Sequence, residues 1–89
     1  MIELNLNIIN KLGLHARASA KFVSTASRYQ SRVQVIKDSQ SVDGKSIMGV
    51  MMLAAKQGSQ LLLKIEGPDE KETAEALSAL LENRFGEAE

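Results

Sequence analysis

The only histidine of the chain lies in the segment KLGLHARASA, residues 11–20. Gly13 permits a sharp backbone turn, so His15 would lie where a helix begins and where unpaired N–H groups and the positive end of the helix dipole point outward. That field disfavours the imidazolium, so we expect a neutral ring with one nucleophilic nitrogen at about pH 7. A phosphoryl group on that nitrogen would be stabilised by the helix amides and by Arg17. The spacing therefore favours reversible phosphoryl transfer.

Other roles of a single histidine have to be compared with this one. An isolated histidine beside an arginine at a helix start is usually a solvated or capping residue, and spacing alone does not overturn that interpretation. A zinc site is disfavoured because the chain has no second histidine and no cysteine. A hydrolase of the Ser-His-Asp type is disfavoured because the sequence shows no nucleophile elbow.

Length, composition and charge exclude several classes of protein. The 89 residues suffice for one domain, residues 1–89, without the deep cleft of a large enzyme. Because 11 basic residues balance 11 acidic ones and aromatic residues make up only 3%, we expect no nucleic-acid partner. The N-terminus does not resemble a signal peptide, and no apolar run approaches membrane-spanning length. We therefore expect a cytoplasmic protein without membrane insertion.

Periodic patterns of apolar residues predict the elements that must position the histidine. Alternation in IELNLNI predicts a first strand, and RVQVIK, a short segment ending near Val42 and QLLLKIEG predict three more. IMGVMMLAAK, residues 47–56, follows Ser46 and predicts a compact second helix that Gly58 terminates. A helical period that begins at Ala16 predicts a first helix, whose core-facing residues are Ala18, Phe22, Ala26 and Tyr29.

A third helix is predicted near the C-terminus, before an acidic tail, GEAE, that we expect to fray. Pro68 and the acids Asp69, Glu70 and Glu72 suit its first turn. Its core-facing residues are Ala74, Leu77, Leu80, Leu81 and Phe85. The order of elements predicts an α+β open-faced β-sandwich (βαββαβα), in which a four-stranded antiparallel sheet carries three helices on one face and solvent on the other.

The segment VDGKSIMGVMML holds a second group of candidate functional residues. Ser46 is a natural N-cap, which would suffice to explain a serine there. The helix after it has more apolar surface than a small core can bury, and we expect Val50, Leu53 and Ala54 in the core. The opposite face predicts a surface for partner binding, since methionine adapts to several partners. This docking patch comprises Ile47, Met48, Met51 and Met52, together with Ala16, Ala20 and Lys21 beside the histidine.

NKLGLHARASA and VDGKSIMGVMML, in the predicted order of elements, resemble the HPr family, the histidine phosphocarriers of the bacterial phosphoenolpyruvate-dependent sugar phosphotransferase system. The resemblance spans essentially the whole chain. It implies that Nδ1 of His15 receives a phosphoryl group from phosphoenolpyruvate-charged Enzyme I and passes it to Enzyme IIA domains for sugar uptake. Arg17 would bind the phosphate. The protein would be a monomeric carrier without a cofactor, rather than an enzyme.

The resemblance also implies regulation at Ser46, by the HPr kinase/phosphorylase that some of these bacteria use. A phosphate at a helix N-terminus would not unfold the helix, so its effect should fall on partner binding. One position departs from the family, which commonly has proline where this chain has Ala18. Because proline pre-sets the backbone, its absence should loosen the site by about 0.4–1 kcal/mol at most.

Two other functions remain as alternatives. An HPr-like regulatory module would bind partners and transfer little phosphate. Such modules have an altered active-site residue, so the presence of His15 disfavours this alternative. A small α+β RNA-binding domain of the split βαβ type would need aromatic residues on exposed strand faces, and the predicted strands contain none.

Overall fold

The computed structural model describes residues 1–88 and confirms the predicted α+β open-faced β-sandwich. Its elements, in chain order, are β1 (Ile2–Asn7), α1 (Ala16–Ala26), β2 (Arg32–Lys37), β3 (Gln40–Asp43), α2 (Ile47–Met52), β4 (Gln60–Glu66) and α3 (Glu70–Glu82). A 3-10 turn, Arg84–Gly86, follows α3.

The sheet has the strand order β1-β4-β2-β3, and every pairing is antiparallel. Leu63 of β4 lies opposite Leu4 on one side and Val35 on the other. Alternate residues of β4, namely Leu61, Leu63 and Ile65, are fully buried. Since strand side chains alternate between faces, the sheet has one apolar face, and this face has to be covered.

The helices supply that cover. α1 contacts both α2 and α3, and α3 also contacts β1 and β4. Phe22 of α1 and Leu77 of α3 are fully buried, and a side chain of this size contributes about 1.5–3 kcal/mol when it is withdrawn from water. The packing fixes the position of α1, and the histidine lies directly before its first turn.

The end of the second helix differs from the prediction. α2 ends at Met52, and the chain then turns back through Ala54, whose φ of 50° lies in the left-handed region. That turn leaves Ala54 exposed and places Ala55 in the core. The prediction that Ala54 is buried is therefore wrong, because the helical period on which it rested ends before this residue.

The predicted bounds of two other elements also need correction. Tyr29 lies beyond the end of α1 and is only half-buried. Pro68 and Asp69 form the turn before α3, which begins at Glu70.

The prediction that the acidic tail frays is wrong for the part of it that the structure describes. Phe85 is buried, as predicted, although it lies after α3 in the 3-10 turn. Because the Phe85 side chain packs in the core, the residues after it lie against the domain, and Glu87 contacts the site described below. The last residue of the predicted tail, position 89, lies outside the described residues.

Asp69 joins the turn after α1 to the turn before α3. Its carboxylate accepts hydrogen bonds from the backbone N–H groups of Gln30 and Ser31, each at 2.9 Å, and from the hydroxyl of Ser31 at 2.5 Å. The Ser31 hydroxyl and these N–H groups favour the charged form and lower the pKa of Asp69 to about 2. The carboxylate therefore stabilises the fold while it is ionised.

We expect Asp69→Asn to lower the free energy of unfolding at pH 7 and to reduce its change between about pH 4 and pH 2. In the unfolded chain the pKa of this carboxyl returns to about 3.8, so its stabilising effect is present above that pH and is lost as the pH falls through about 2. Urea denaturation of wild type and Asp69→Asn at these three pH values measures the difference between their free energies of unfolding. Asp38→Asn is the control, because the Asp38 side chain is 86% exposed. Equal losses in wild type and Asp69→Asn between pH 4 and pH 2 would contradict the expectation.

Candidate functional site

The loop between β1 and α1 is fixed to the segment that follows α2. Its backbone is bonded at both ends, from Ile8 N–H to Ser59 at 2.8 Å and from Leu14 N–H to Ala55 at 2.8 Å. Gly13 has a φ of 69°, and a Cβ at this position would lie 2.5 Å from the carbonyl oxygen of Ala55. The glycine is therefore required both by its conformation and by the close approach of the two backbones.

His15 occupies the N-cap position of α1, as predicted, with an extended backbone and no capping bond from its side chain. Its carbonyl accepts the N–H of Ser19 at 2.8 Å, so the N–H groups before Ser19 have no acceptor inside the helix. The imidazole is 30% exposed. The ring thus lies beside the positive end of α1 and remains accessible.

The two nitrogens of the ring have different surroundings. Nε2 forms a short contact with the Oε2 atom of Glu87. Within residues 1–88, no side chain or backbone group forms a hydrogen bond with Nδ1. An ionised carboxylate only accepts hydrogen bonds, so this arrangement places the proton of a neutral ring on Nε2 and the lone pair on Nδ1.

Glu87 and Asn10 are the site residues that sequence reasoning missed. Asn10 is fully buried, and its amide donates to Oε1 of Glu87 at 3.0 Å and to the Gly13 carbonyl at 2.9 Å. Burial acts to raise the pKa of Glu87, but the hydrogen bonds with His15 and Asn10 and the charge of Lys21 outweigh it, so the pKa lies below its ordinary value. One feature of the sequence pointed to Glu87. Phe85 is an aromatic residue in a polar C-terminal segment, and its burial returns this segment to the core.

Arg17 is exposed and lies on the rim of an open cavity of about 690 Å³ beside the imidazole. The cavity is lined by Lys11, Leu12, His15, Ala16, Arg17, Glu87 and Ala88. The structure therefore brings the predicted histidine and arginine to one depression, which the unpredicted carboxylate of Glu87 also lines. A guanidinium in this place is suited to bind the oxygens of a phosphoryl group.

The residues of the docking patch are mostly accessible. The four on α2 are 38–69% exposed and are Ile47, Met48, Met51 and Met52. On α1, Ala16 and Lys21 are exposed and Ala20 is half-buried. The ammonium of Lys21 donates to the carbonyl of Phe85 at 2.6 Å, so Lys21 also holds the C-terminal segment. α1 and α2 are in contact, which places the two parts of the patch on adjoining helices.

Ser46 is the N-cap of α2, and its hydroxyl accepts the N–H of Gly49 at 3.1 Å. The capping role predicted for it is thus present. Among the described residues, no group of three or more potential ligands could hold a metal ion. Over the same residues, no helix has the length and apolar character needed to cross a membrane.

Comparisons with known proteins agree on one family. A family model described as the PTS HPr component phosphorylation site matches residues 2–83. The chain is 55% identical to the phosphocarrier protein HPr of Cupriavidus necator over 89 residues, which is the whole of both chains. It is similar to the crystal structure of HPr-C-His from Thermoanaerobacter tengcongensis, with a TM-score of 0.96, 48% identity and full coverage of both chains. A crystal structure of an HPr dimer from that organism has a TM-score of 0.79 and 49% identity, covering 98% of this chain and all of the other.

Gly13→Ala should lower the free energy of unfolding by about 1–3 kcal/mol and shift the NMR signals of His15. The new Cβ would be strained at a φ of 69° and would collide with the backbone of Ala55. Gly58→Ala is a matched control, since Gly58 also has a left-handed φ, of 91°, but a Cβ added there would meet no atom within 4 Å. Urea denaturation and NMR of both variants measure the effects. The same loss of stability in both variants, with His15 unshifted, would show that the close approach is unimportant.

Proposed function

The chain belongs to the HPr family of phosphocarrier proteins, and we propose that it carries a phosphoryl group on Nδ1 of His15. The observation that carries the proposal is the unequal environment of the two ring nitrogens, with Nε2 against Glu87 and Nδ1 without a partner in residues 1–88. The donor would be phosphoenolpyruvate-charged Enzyme I, and the acceptors would be Enzyme IIA domains for sugar uptake. We place this carrier in the cytoplasm, as a monomer.

In the proposed transfer, the lone pair of Nδ1 attacks phosphorus and forms the P–N bond. The bond between phosphorus and the donor breaks, and its electron pair leaves with the donor. The phosphoryl oxygens then lie near the first-turn N–H groups of α1 and within reach of the Arg17 guanidinium, both of which favour negative charge. The reverse sequence, with a different protein as acceptor, releases the group again.

The openness of the site supports a carrier rather than an enzyme acting on a small substrate. The imidazole is 30% exposed at the edge of a shallow cavity, so a second protein can bring its own reacting group to the ring. Catalysts of difficult reactions usually exclude water from the reacting atoms, and this site does not enclose them. A phosphoryl group held here is accessible to successive partners.

The docking patch is the proposed contact surface for these partners. Its exposed side chains on α2 are apolar, and Lys21 and Arg17 add positive charge at the border nearest the histidine. An apolar centre with a charged rim is typical of transient protein interfaces. Acidic partner surfaces would be attracted to this rim, which would mainly accelerate encounter.

Ser46 is the proposed site of regulation, with the HPr kinase/phosphorylase as the modifying enzyme. Its hydroxyl already accepts the N–H of Gly49, and phosphate oxygens could accept the same N–H group. The helix would then keep its cap while the surface beside Met48 gained about −1.5 to −2 charge. Acidic partners would be repelled.

Phosphorylation by purified Enzyme I and phosphoenolpyruvate tests the proposal. Wild type should gain one acid-labile, base-stable phosphate that maps to His15, and His15→Ala should gain none. Arg17→Ala should be phosphorylated at least about tenfold more slowly, since a hydrogen bond to a charged group is worth about 1.5–3 kcal/mol. Its stability should change by no more than about 0.5 kcal/mol, because Arg17 is exposed.

Arg28→Ala is the matched control, as Arg28 is exposed just beyond the other end of α1. It should be phosphorylated at the wild-type rate. Labelling of His15→Ala to the wild-type level would refute the site. A normal rate for Arg17→Ala combined with a large loss of stability would make Arg17 a structural residue.

Ser46→Asp should slow the phosphorylation of His15 at low ionic strength. Aspartate is also a good N-cap, so the variant keeps α2 while adding one negative charge. The defect should shrink as salt rises, because exposed charges more than about 10 Å apart are largely screened at about 0.1 M. Initial rates at low and high ionic strength measure this. Ser41→Asp adds the same charge at an exposed position of β3 that is not part of the patch, and it should react as wild type does. Equal low-salt rates for wild type and Ser46→Asp would leave Ser46 as a cap only.

A further inference from the structure

We propose that Glu87 is a positioning residue for phosphoryl transfer, which presents Nδ1 of His15 as the nucleophile and stabilises the imidazolium formed when Nδ1 bonds to phosphorus. The inference rests on the proposed function and deepens it. It gives the C-terminal segment a role. The roles given above to His15, Arg17 and Ser46 do not involve this segment.

The carboxylate of Glu87 is held on both oxygens. Oε2 contacts Nε2 of His15, and Oε1 accepts the side-chain amide of Asn10 at 3.0 Å. The same amide donates to the Gly13 carbonyl at 2.9 Å, so the carboxylate is anchored to the loop that carries the histidine. Only 15% of the Glu87 side chain is exposed. The contact is therefore part of the packed structure and not a pair of charges on mobile surface side chains.

The orientation of Asn10 agrees with an ionised carboxylate. Its NH₂ group faces two acceptors, and its Oδ1 atom is buried without a partner in residues 1–88. Leaving a buried acceptor unpaired costs about 1–3 kcal/mol, so the two bonds made by the NH₂ group determine the orientation. Rotating the amide would place Oδ1 against two other oxygens.

The path of the C-terminal segment brings the carboxylate to the ring. After α3 the chain turns through Arg84 and Phe85, both with a φ of 55°. Such conformations cost about 1–3 kcal/mol each for residues other than glycine, and the burial of Phe85 offsets part of that cost. Lys21 of α1 donates to the Phe85 carbonyl at 2.6 Å and fixes the segment against this helix.

The chemistry of the transfer requires both effects of this carboxylate. A neutral imidazole has one N–H group, and an acceptor at Nε2 places it there, which leaves the lone pair on Nδ1. When that pair forms the P–N bond and the donor departs with the electrons of the broken bond, the ring keeps its Nε2 proton and gains a positive charge. Glu87 lies against this charge. The buried aspartate of Ser-His-Asp hydrolases orients and stabilises its histidine in the same way.

Ring ¹⁵N NMR of free protein, at a pH high enough for a neutral imidazole, tests the positioning without any partner. Wild type should hold a single tautomer with the proton on Nε2. Glu87→Gln should keep it, because the Gln carbonyl can also accept from Nε2, whereas Glu87→Ala should show a mixture of tautomers. Glu75→Gln, on the exposed face of α3, should resemble wild type. A wild-type ring with its proton on Nδ1, or an unchanged tautomer in Glu87→Ala, would overturn the proposal.

The initial rate of phosphorylation tests the electrostatic part. Glu87→Gln should react about fivefold more slowly with its tautomer retained, and Glu87→Ala should be slower still. Wild-type rates in both variants would overturn this part of the proposal, provided that their backbone NMR spectra show the fold intact. If wild type itself accepts no phosphate, the function proposed above fails, while the NMR result still decides whether Glu87 sets the tautomer.

Discussion

The close approach of two backbones, the loop before α1 and the segment after α2, is the constraint on which the site depends. The Ala55 carbonyl accepts Leu14 N–H at 2.8 Å and leaves no room for a side chain at Gly13. Leu14 and Ala55 are both buried, so this contact ties the start of α1 to the core. The direction in which the imidazole leaves the helix is thereby set by the packing of the sheet and helices.

Asp69 and Glu87 both have lowered pKa values, but they differ in what surrounds them. Asp69 accepts N–H and O–H groups in a turn and joins two parts of the fold. Glu87 has a lowered pKa for a similar reason, but one of its partners is the imidazole at the edge of an open cavity. The same physical effect therefore stabilises the fold in one place and, in the transfer we propose, orients the imidazole in the other.

The sequence allowed most of the fold to be predicted, because alternation along β1 and β4 and the helical period of α1 each record which face is buried. It also predicted His15 and Arg17 as candidate site residues from their spacing around a helix start, and the structure places both at one cavity. Ala54 and the tail were mispredicted for a common reason. Left-handed residues, Ala54 after α2 and Arg84 and Phe85 before the tail, interrupt the local period on which both predictions rested. Glu87 is 72 residues from His15 in sequence, so no local pattern could relate it to the histidine, and the part played by Asn10 depends on its bond to Glu87.

The sulfur-containing residues of this protein are all exposed. The chain has four methionines and no cysteine, and Met1, Met48, Met51 and Met52 are 64%, 69%, 38% and 69% exposed. Methionine sulfoxide is polar and chiral, so oxidants would convert an apolar, adaptable face of α2 into a polar one. None of the four methionines belongs to the buried core cluster. Oxidative damage to this molecule would therefore alter which proteins it binds before it altered the stability of its fold.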